Sequence, residues 1–375
     1  ILKEVNKVFN FLQVHYKLKK YKHLIVSPHY TNNAVVRMIN KEIENRKAGL
    51  PSGIRLKLNA ITNFRMIEKL YEASCEGVPI QMIVRGICCL IPGVKGMSEN
   101  IGGVILFDET IRQKTDAGQS LVDLILESGA LPGIKVDKGL KPFEGSEVET
   151  LTQGLDDLDE RCAEYAKLGA KFTKWRAVIN IGDGIPTQEC IDANMEALAK
   201  YAKIAQKNGM VPIVEPEVLI NGKHTIEDCY DATSRSIKSL FDYLKSYDVD
   251  VTGTILKPNM VTAGSDSDQK SSVEEVGEMT IKCLNESVPD ELPGVAFLSG
   301  GQTEIESTEH LDKMNKIGGF AWKLSFSYGR ALQQSALNAW LGKPENKNAG
   351  QQAFAHRAKM NKLAALGIWS ADLEN

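Results

Sequence analysis

TGTILKPNMVT, residues 252–262, decides how the rest of the chain is read. Ile255 and Leu256 are apolar strand formers that run directly into Lys257, and Pro258 ends the strand at once. A lysine at the C-terminal end of a buried strand meets desolvation, which disfavours its charged form. An amine poised near pH ~7–8 can attack a carbonyl and form a Schiff base. Alone, the stretch also fits a lysine whose stem snorkels out of the strand end into water. The neighbouring strands have to separate the two.

Outward from this stretch, strand and helix signals alternate at spacings suited to a parallel sheet or barrel. Strands are expected over 103–107, 131–136, 172–179, 211–214, 252–256, 295–298 and 320–326. They run into Asp108-Glu109, Asp137-Lys138, Glu215-Pro216-Glu217, Lys257, Ser299-Gly300-Gly301 and Ser327-Tyr328-Gly329-Arg330, and residues 172–179 carry Lys174 and Arg176. Polar groups at the C-terminal ends of successive strands are what a (β/α)8 barrel uses to build an active site. A doubly wound sheet is the alternative, but no G-x-G-x-x-G follows the first strand of the series.

These strand ends suggest chemistry. Lys174 and Arg176 share one face of their strand, as do Glu215 and Glu217. Two carboxylates in unlike surroundings can be pushed to different pKa values for acid and base roles. Glu-Pro-Glu alone fits a salt-bridged strand end as well. Gly300, Gly301 and Gly329, with Ser299 and Arg330, form a candidate phosphate cradle. Residues 298–302 read LSGGQ, a signature string of ABC-type ATPases. That reading needs a Walker A loop, and neither Gly222-Lys223 nor Gly342-Lys343 is followed by Ser or Thr.

Composition is ordinary for a globular chain of 375 residues, with 43% hydrophobic and 25% charged residues. The longest apolar run, 80–94, is broken by Arg85 and Pro92, so no transmembrane helix is expected. The N-terminus lacks a signal-peptide pattern, and seven cysteines without metal-like spacing fit a reducing, cytoplasmic compartment. Charge divides sharply. Residues 1–101 hold 16 Lys and Arg against 7 Asp and Glu, and the remainder holds 29 against 41. Such a reversal points to two modules, 1–101 and 102–375.

In the basic module a helix is expected over 4–12, a strand over 24–27 and a helix over 33–47. A strictly alternating strand follows over 54–60, then a helix capped by Asn63 and a strand over 80–84 that ends at Arg85-Gly86. LIVSPHY (24–30), EIENRKAGLPSGIRLKLNAI (42–61), LYEAS (70–74) and IVRGICCLIPGVKGMSENI (83–101) resemble the C-terminal region of bacterial polyphosphate kinases. The resemblance implies a phosphate-binding role for Arg85, in keeping with a guanidinium at a strand end. The motif with that family's phosphorylated histidine is absent, and His15, His23 and His29 match no such position. An active kinase is therefore not expected.

The second module carries GVILFDET (103–110), PGIKVDKG (132–139), LTQGLDDLDERC (151–162) and FTKWRAV (172–178). NGMVPIVEPEVL (208–219), GTILKPNMVT (253–262), LSGGQ (298–302) and FSYGRALQQSALNAWLGK (326–343) follow in order. Over 103–369 it is identified as a member of the class I fructose-1,6-bisphosphate aldolases. The resemblance implies that Lys257 forms a Schiff base with the substrate ketone and that Glu215 is general acid/base, with Glu217 and Lys174 in the same charge network. It places Lys135, Arg176 and Ser327 in the substrate site, and Ser299, Gly300, Gly329 and Arg330 around a substrate phosphate. It implies reversible cleavage to dihydroxyacetone phosphate and glyceraldehyde 3-phosphate without metal or cofactor, and a homotetramer with no nucleic-acid or membrane partner.

The chain departs from that family in lacking the GILAADES motif of its first barrel strand, with a catalytic aspartate, and its C-terminal tail ending in a functional tyrosine. The expectation is a (β/α)8 TIM barrel without its usual first strand, preceded by a small α/β segment, as in a fusion or chimera. Its activity is expected to be impaired, since general acid–base groups contribute roughly 10²–10⁴-fold. Unpaired sheet edges are a liability, so residues 80–84 are expected to serve as a surrogate strand beside 103–107. An open seven-stranded barrel is the alternative.

Overall fold

The computed structural model describes residues 31–58, 69–70, 72–73, 76–84, 100–115 and 118–374. The chain divides into two compact units, Ile1–Ile91 and Pro92–Asn375. The expected elements over 4–12 and 24–27, most of the helix after Asn63, Arg85 and the three N-terminal histidines lie outside the described residues.

In the first unit, helix α1 (Thr31–Lys47) precedes strands β1 (Ile54–Leu58) and β2 (Ile80–Val84), which pair in parallel from Ile54↔Ile80 to Leu58↔Val84. Ile39 and Ile43, one turn apart on α1, are buried with Ile54, Leu70, Ala73 and Val78 in a small core of their own. This pairing corrects the expectation of a surrogate strand. Residues 80–84 belong to the two-stranded sheet, while β3 (Gly103–Leu106) is an edge of a different one. An apolar run says that a strand will be buried without naming its partner. Here the partner is the preceding strand, β1.

The second unit is built on a seven-stranded parallel sheet: β3, β4 (Leu131–Lys135), β7 (Phe172–Ile179), β8 (Val211–Val218), β9 (Ile255–Leu256), β10 (Gly294–Phe297) and β11 (Lys323–Phe326). The order β11-β10-β9-β8-β7-β4-β3 never reverses, which is the order of a barrel and not of a doubly wound sheet. Among the described residues β3 and β11 are its edges. A small antiparallel hairpin, β5 (Leu140–Pro142) and β6 (Thr150–Thr152), is inserted after β4, and helices α2 (Asp108–Ile111), α3 (Leu121–Glu127) and α4 (Leu158–Leu168) come before β7 in the chain.

Strand β7 is buried on both faces, as barrel strands are. Thr173 and Trp175 reach Tyr201 on helix α5 (Gln188–Lys207): the two rings stack at 5.5 Å, and the hydroxyls of Thr173 and Tyr201 lie 2.9 Å apart. The alternation then turns Lys174 and Arg176 to the opposite face. Helices α6 (Ile226–Ser246), α7 (Val273–Ser287) and α8 (Glu304–Ile317) begin with reciprocal capping boxes: Thr225 with Asp228, Ser272 with Glu275 and Thr303 with Glu306. N-caps of this kind are worth roughly 0.5–2 kcal/mol each. They anchor the loops leaving β8, β9 and β10. Among the described residues no helix is long and apolar enough to cross a membrane.

Of the strand limits that differ from expectation, two bear on the site. β8 continues to Val218 because β7 pairs with it over eight residues, so Glu215 and Glu217 stand within the strand instead of after it. β9 is only Ile255–Leu256. Asp250 accepts hydrogen bonds from the Thr252 amide (2.9 Å) and hydroxyl (2.6 Å), coiling Val251–Gly253 into a 3₁₀ turn.

Candidate active site

The register carries the charged side chains to one end of the sheet. Arg176 lies opposite Glu215 across β7 and β8, and Val214 opposite Leu256 across β8 and β9. Lys257 follows immediately, and its amide donates to the Val214 carbonyl at 2.8 Å. Its Nζ lies 2.7 Å from Glu215 Oε1, while Lys174 Nζ approaches Glu215 Oε2 at 2.8 Å. One carboxylate is thus clamped between two ammonium groups from the flanking strands. All three residues are more than nine-tenths buried.

Burial is the largest single influence on Glu215 and opposes its ionisation. Lys257 and then Lys174 act the other way, and together they hold the carboxyl below its ordinary range. The anion is therefore the resting state of this group. A buried carboxylate that touches two amines is placed to exchange protons with either.

A second pair lies beside the first. Arg176 Nε contacts Glu217 Oε2, and Lys135 contacts Asp137. The Lys135 ammonium also donates to the Asp137 carbonyl at 3.1 Å, and the Arg176 amide donates to Asp137 Oδ2 at 3.3 Å. Glu215 and Glu217 thus share a face but not a partner.

The expected phosphate-binding residues sit on the next two strands. β10 and β11 end level, at Phe297↔Phe326, and the Ser327 amide donates to the Phe297 carbonyl at 2.8 Å. Ser299-Gly300-Gly301 turns back after β10, with positive φ at both glycines (49° and 85°), a region that other residues rarely enter. Gly329 caps helix α9 (Arg330–Trp340) without a side-chain acceptor, leaving the first turn of the helix open to an anion. Arg330 is exposed and makes no ion pair among the described residues. The structure therefore joins Lys257, Glu215 and Lys174 in direct contact, and Arg176 with Glu217. It places Lys135 one strand away from them and the β10–β11 group on the neighbouring strand ends, with no direct polar contact to Lys257.

Asp137 and Asn259 were given no role by the sequence reading. Asn259 is fully enclosed: its Oδ1 accepts from the Val218 amide at 3.0 Å and its Nδ2 donates to Thr233 Oγ1 at 3.0 Å, tying the segment after Lys257 to the end of β8. An asparagine two residues beyond the lysine was the available signal. Two cavities lie elsewhere. An apolar groove of about 710 Å³ runs between α9 and helix α10 (Lys347–Ala365), and a space of about 570 Å³ lies around His224 and Arg235. Neither holds Lys257 or Glu215. Convergent charge, not hollow volume, marks this site.

Comparison with known proteins bears on the family and the fold. The family model described as "Glycolytic: Fructose-bisphosphate aldolase class-I" matches residues 23–375. A probable fructose-bisphosphate aldolase class 1 of Xanthomonas axonopodis pv. citri is 52% identical over 274 residues, covering 73% of this chain and 82% of its own. Cytosolic fructose-bisphosphate aldolase 4 of Arabidopsis thaliana is 49% identical over 280 residues, covering 74% and 71%. In structure, the fructose-bisphosphate aldolase of Plasmodium falciparum, solved with TRAP and a small-molecule inhibitor, superposes with a TM-score of 0.73 at 38% identity over 94% of this chain and all of that one. The family match reaches back across residue 102 to residue 23. It does not divide the chain where the polyphosphate-kinase resemblance does, and the comparisons lend no support to a fusion or chimera.

Proposed function

The chain belongs to the class I fructose-bisphosphate aldolase family, and from that membership we propose that Lys257 is the amine that carries its lyase chemistry. The activity is the reversible cleavage of fructose 1,6-bisphosphate into dihydroxyacetone phosphate and glyceraldehyde 3-phosphate. The observation that supports Lys257 most is the clamp: Glu215 stands 2.7 Å from its Nζ and 2.8 Å from that of Lys174.

In the proposed sequence, the Lys257 ammonium gives a proton to Glu215, and the free amine adds to the substrate ketone. Protonation of the resulting hydroxyl expels water and leaves a cationic iminium. A base takes the proton of the hydroxyl two carbons from the iminium carbon. The bond between the two intervening carbons breaks, its electron pair passes into the iminium, and an aldehyde leaves. The enamine left on Lys257 takes a proton at carbon, and water releases the ketone. Glu215 moves these protons, with Lys174 holding its carboxylate in place. Glu217, bound to Arg176, keeps that guanidinium turned toward the substrate. Ser299, Gly300, Ser327, Gly329 and Arg330 grip a phosphate through backbone N–H groups, hydroxyls and one guanidinium.

Borohydride in the presence of dihydroxyacetone phosphate tests the assignment. It is expected to leave a reduced adduct on Lys257, located by peptide mass mapping and lost in Lys257→Ala. An adduct on another lysine, or none, overturns it. For the chain as a whole we further propose a homotetramer, on family grounds, and a cytoplasmic location, which the cytosolic relatives of Arabidopsis and Pisum sativum support. Sedimentation of the purified chain checks the first. The two-module division at residue 102 remains a proposal, with the compact units meeting at Ile91 and Pro92 as its nearest support. A polyphosphate- or ATP-binding role for the basic segment would rest on Arg85 alone, and absence of binding to either removes it.

A further inference from the structure

We infer that Asp137 is a positioning residue of this site: it fixes the Lys135 ammonium at the end of β4, so that an anionic substrate meets a cation already in place. The inference rests on the reading of Lys135 as a substrate-facing group.

Asp137 is almost wholly enclosed, its side chain 4% exposed against 23% for Lys135. It holds Lys135 at two points, through its carboxylate and through its own carbonyl at 3.1 Å. Its other oxygen accepts the Arg176 amide at 3.3 Å, so the carboxylate is pinned to β7 as well as to β4. The flanking backbone cannot follow a displaced lysine. The Val136 amide donates to the Lys174 carbonyl at 3.0 Å, and the Val136 carbonyl accepts Arg161 Nη1 at 2.9 Å. The Lys138 amide donates to the Gln153 carbonyl at 2.8 Å. Gly154, at φ 124°, packs so closely there that a Cβ would stand 2.9 Å from the Lys138 nitrogen.

The other carboxylates of the site are committed, Glu215 to two lysines and Glu217 to Arg176. Remove the charge of Asp137, and the long Lys135 side chain is free to compete for them or to turn to solvent. Two effects then oppose each other. Asp137 partly cancels the attraction of Lys135 for an anion, but it also removes the need to reorganise that cation on binding, and misplacement by about 1 Å can cost on the order of 10²-fold.

Asp137→Asn keeps an acceptor for the Arg176 amide and discards the charge. If positioning dominates, KM for fructose 1,6-bisphosphate rises about tenfold with kcat within about twofold, and Asp137→Asn adds less than about twofold when Lys135 is already Met. A lower or unchanged KM, or an Asn effect that persists in full in the Lys135→Met protein, overturns the inference. If the Asn variant does not fold, Asp137→Glu, which keeps the charge but moves it outward by one methylene, is read in the same pair of backgrounds. Failure of the underlying reading looks different: Lys135→Met alone would then leave KM unchanged.

Discussion

The two halves of the same sheet handle charge in opposite ways. On β7, β8 and β9 the ionisable groups stand within strands or directly at their ends, buried or, for Arg176, half-buried, and paired with each other across the register. On β10 and β11 the residues proposed to hold a phosphate stand beyond the strands in glycine-bearing turns, half-buried or exposed, and Arg330 has no ion-pair partner among the described residues. Folding itself sets the first group. A buried charge is tolerated only with its counter-charges in place, so the clamp around Glu215 is as rigid as the register that brings it together. The second group is open to solvent and to a ligand. On the function proposed above, bond making belongs to the enclosed half and recruitment to the open half.

The most direct way to break this division is Lys257→Ala. It should lower kcat by roughly 10⁴-fold or more, since a covalent nucleophile leaves little behind when removed. It should leave substrate binding to β10 and β11 measurable by calorimetry. Loss of binding equal to the loss of turnover would mean that the two halves are not separable. Glu215→Gln comes next. It preserves shape and removes the proton acceptor, so kcat should fall roughly 10²–10⁴-fold with a smaller change in KM. It also leaves two buried ammonium groups without a counter-charge, which costs on the order of 3–5 kcal/mol. The urea midpoint should fall together with kcat.

That enclosed half was also the more legible in the sequence. Lys174 with Arg176, and Glu215 with Glu217, are two residues apart on their strands, and a strand presents such residues on one face wherever it lies; Lys257 was marked by its place at a strand end. Asp137 was legible only as a polar residue after a strand, because its meaning comes from the Arg176 amide on a strand far along the chain. Residues 252–254 carried strand-forming signals, yet the Asp250 side chain offered Thr252 a local bond that a ladder could not match. Residues 80–84 had the right pattern for a barrel strand and the wrong neighbour. Periodicity encodes which face is buried, while pairing depends on which strand lies alongside.

Arg330→Ala sharpens the comparison from the open half. Hydrogen bonds to charged groups are worth about 1.5–3 kcal/mol, so KM should rise about 10- to 100-fold while kcat at saturation holds within about fivefold. The thermal midpoint should not move, because Arg330 is exposed and has no ion-pair partner among the described residues to abandon. A drop in stability would show that the open half, too, is organised by folding.

The smallest effect is a pH dependence confined to the enclosed half. The folded-state pKa of Glu215 lies below its ordinary value of 4.5, because Lys257 and Lys174 outweigh the burial that pushes it up. As pH falls, the unfolded chain takes up this proton first, so protonation favours unfolding. The stabilisation is therefore complete above about 4.5 and fades as pH drops through the folded-state value. Glu215→Gln has no such proton to bind. Urea unfolding of both proteins at pH 7 and pH 4 should show the gap between them narrowing in acid, as the wild type loses what the variant never had. A gap that stays constant would mean that the clamp adds nothing through charge, and that Glu215 is held by packing, as a neutral residue would be.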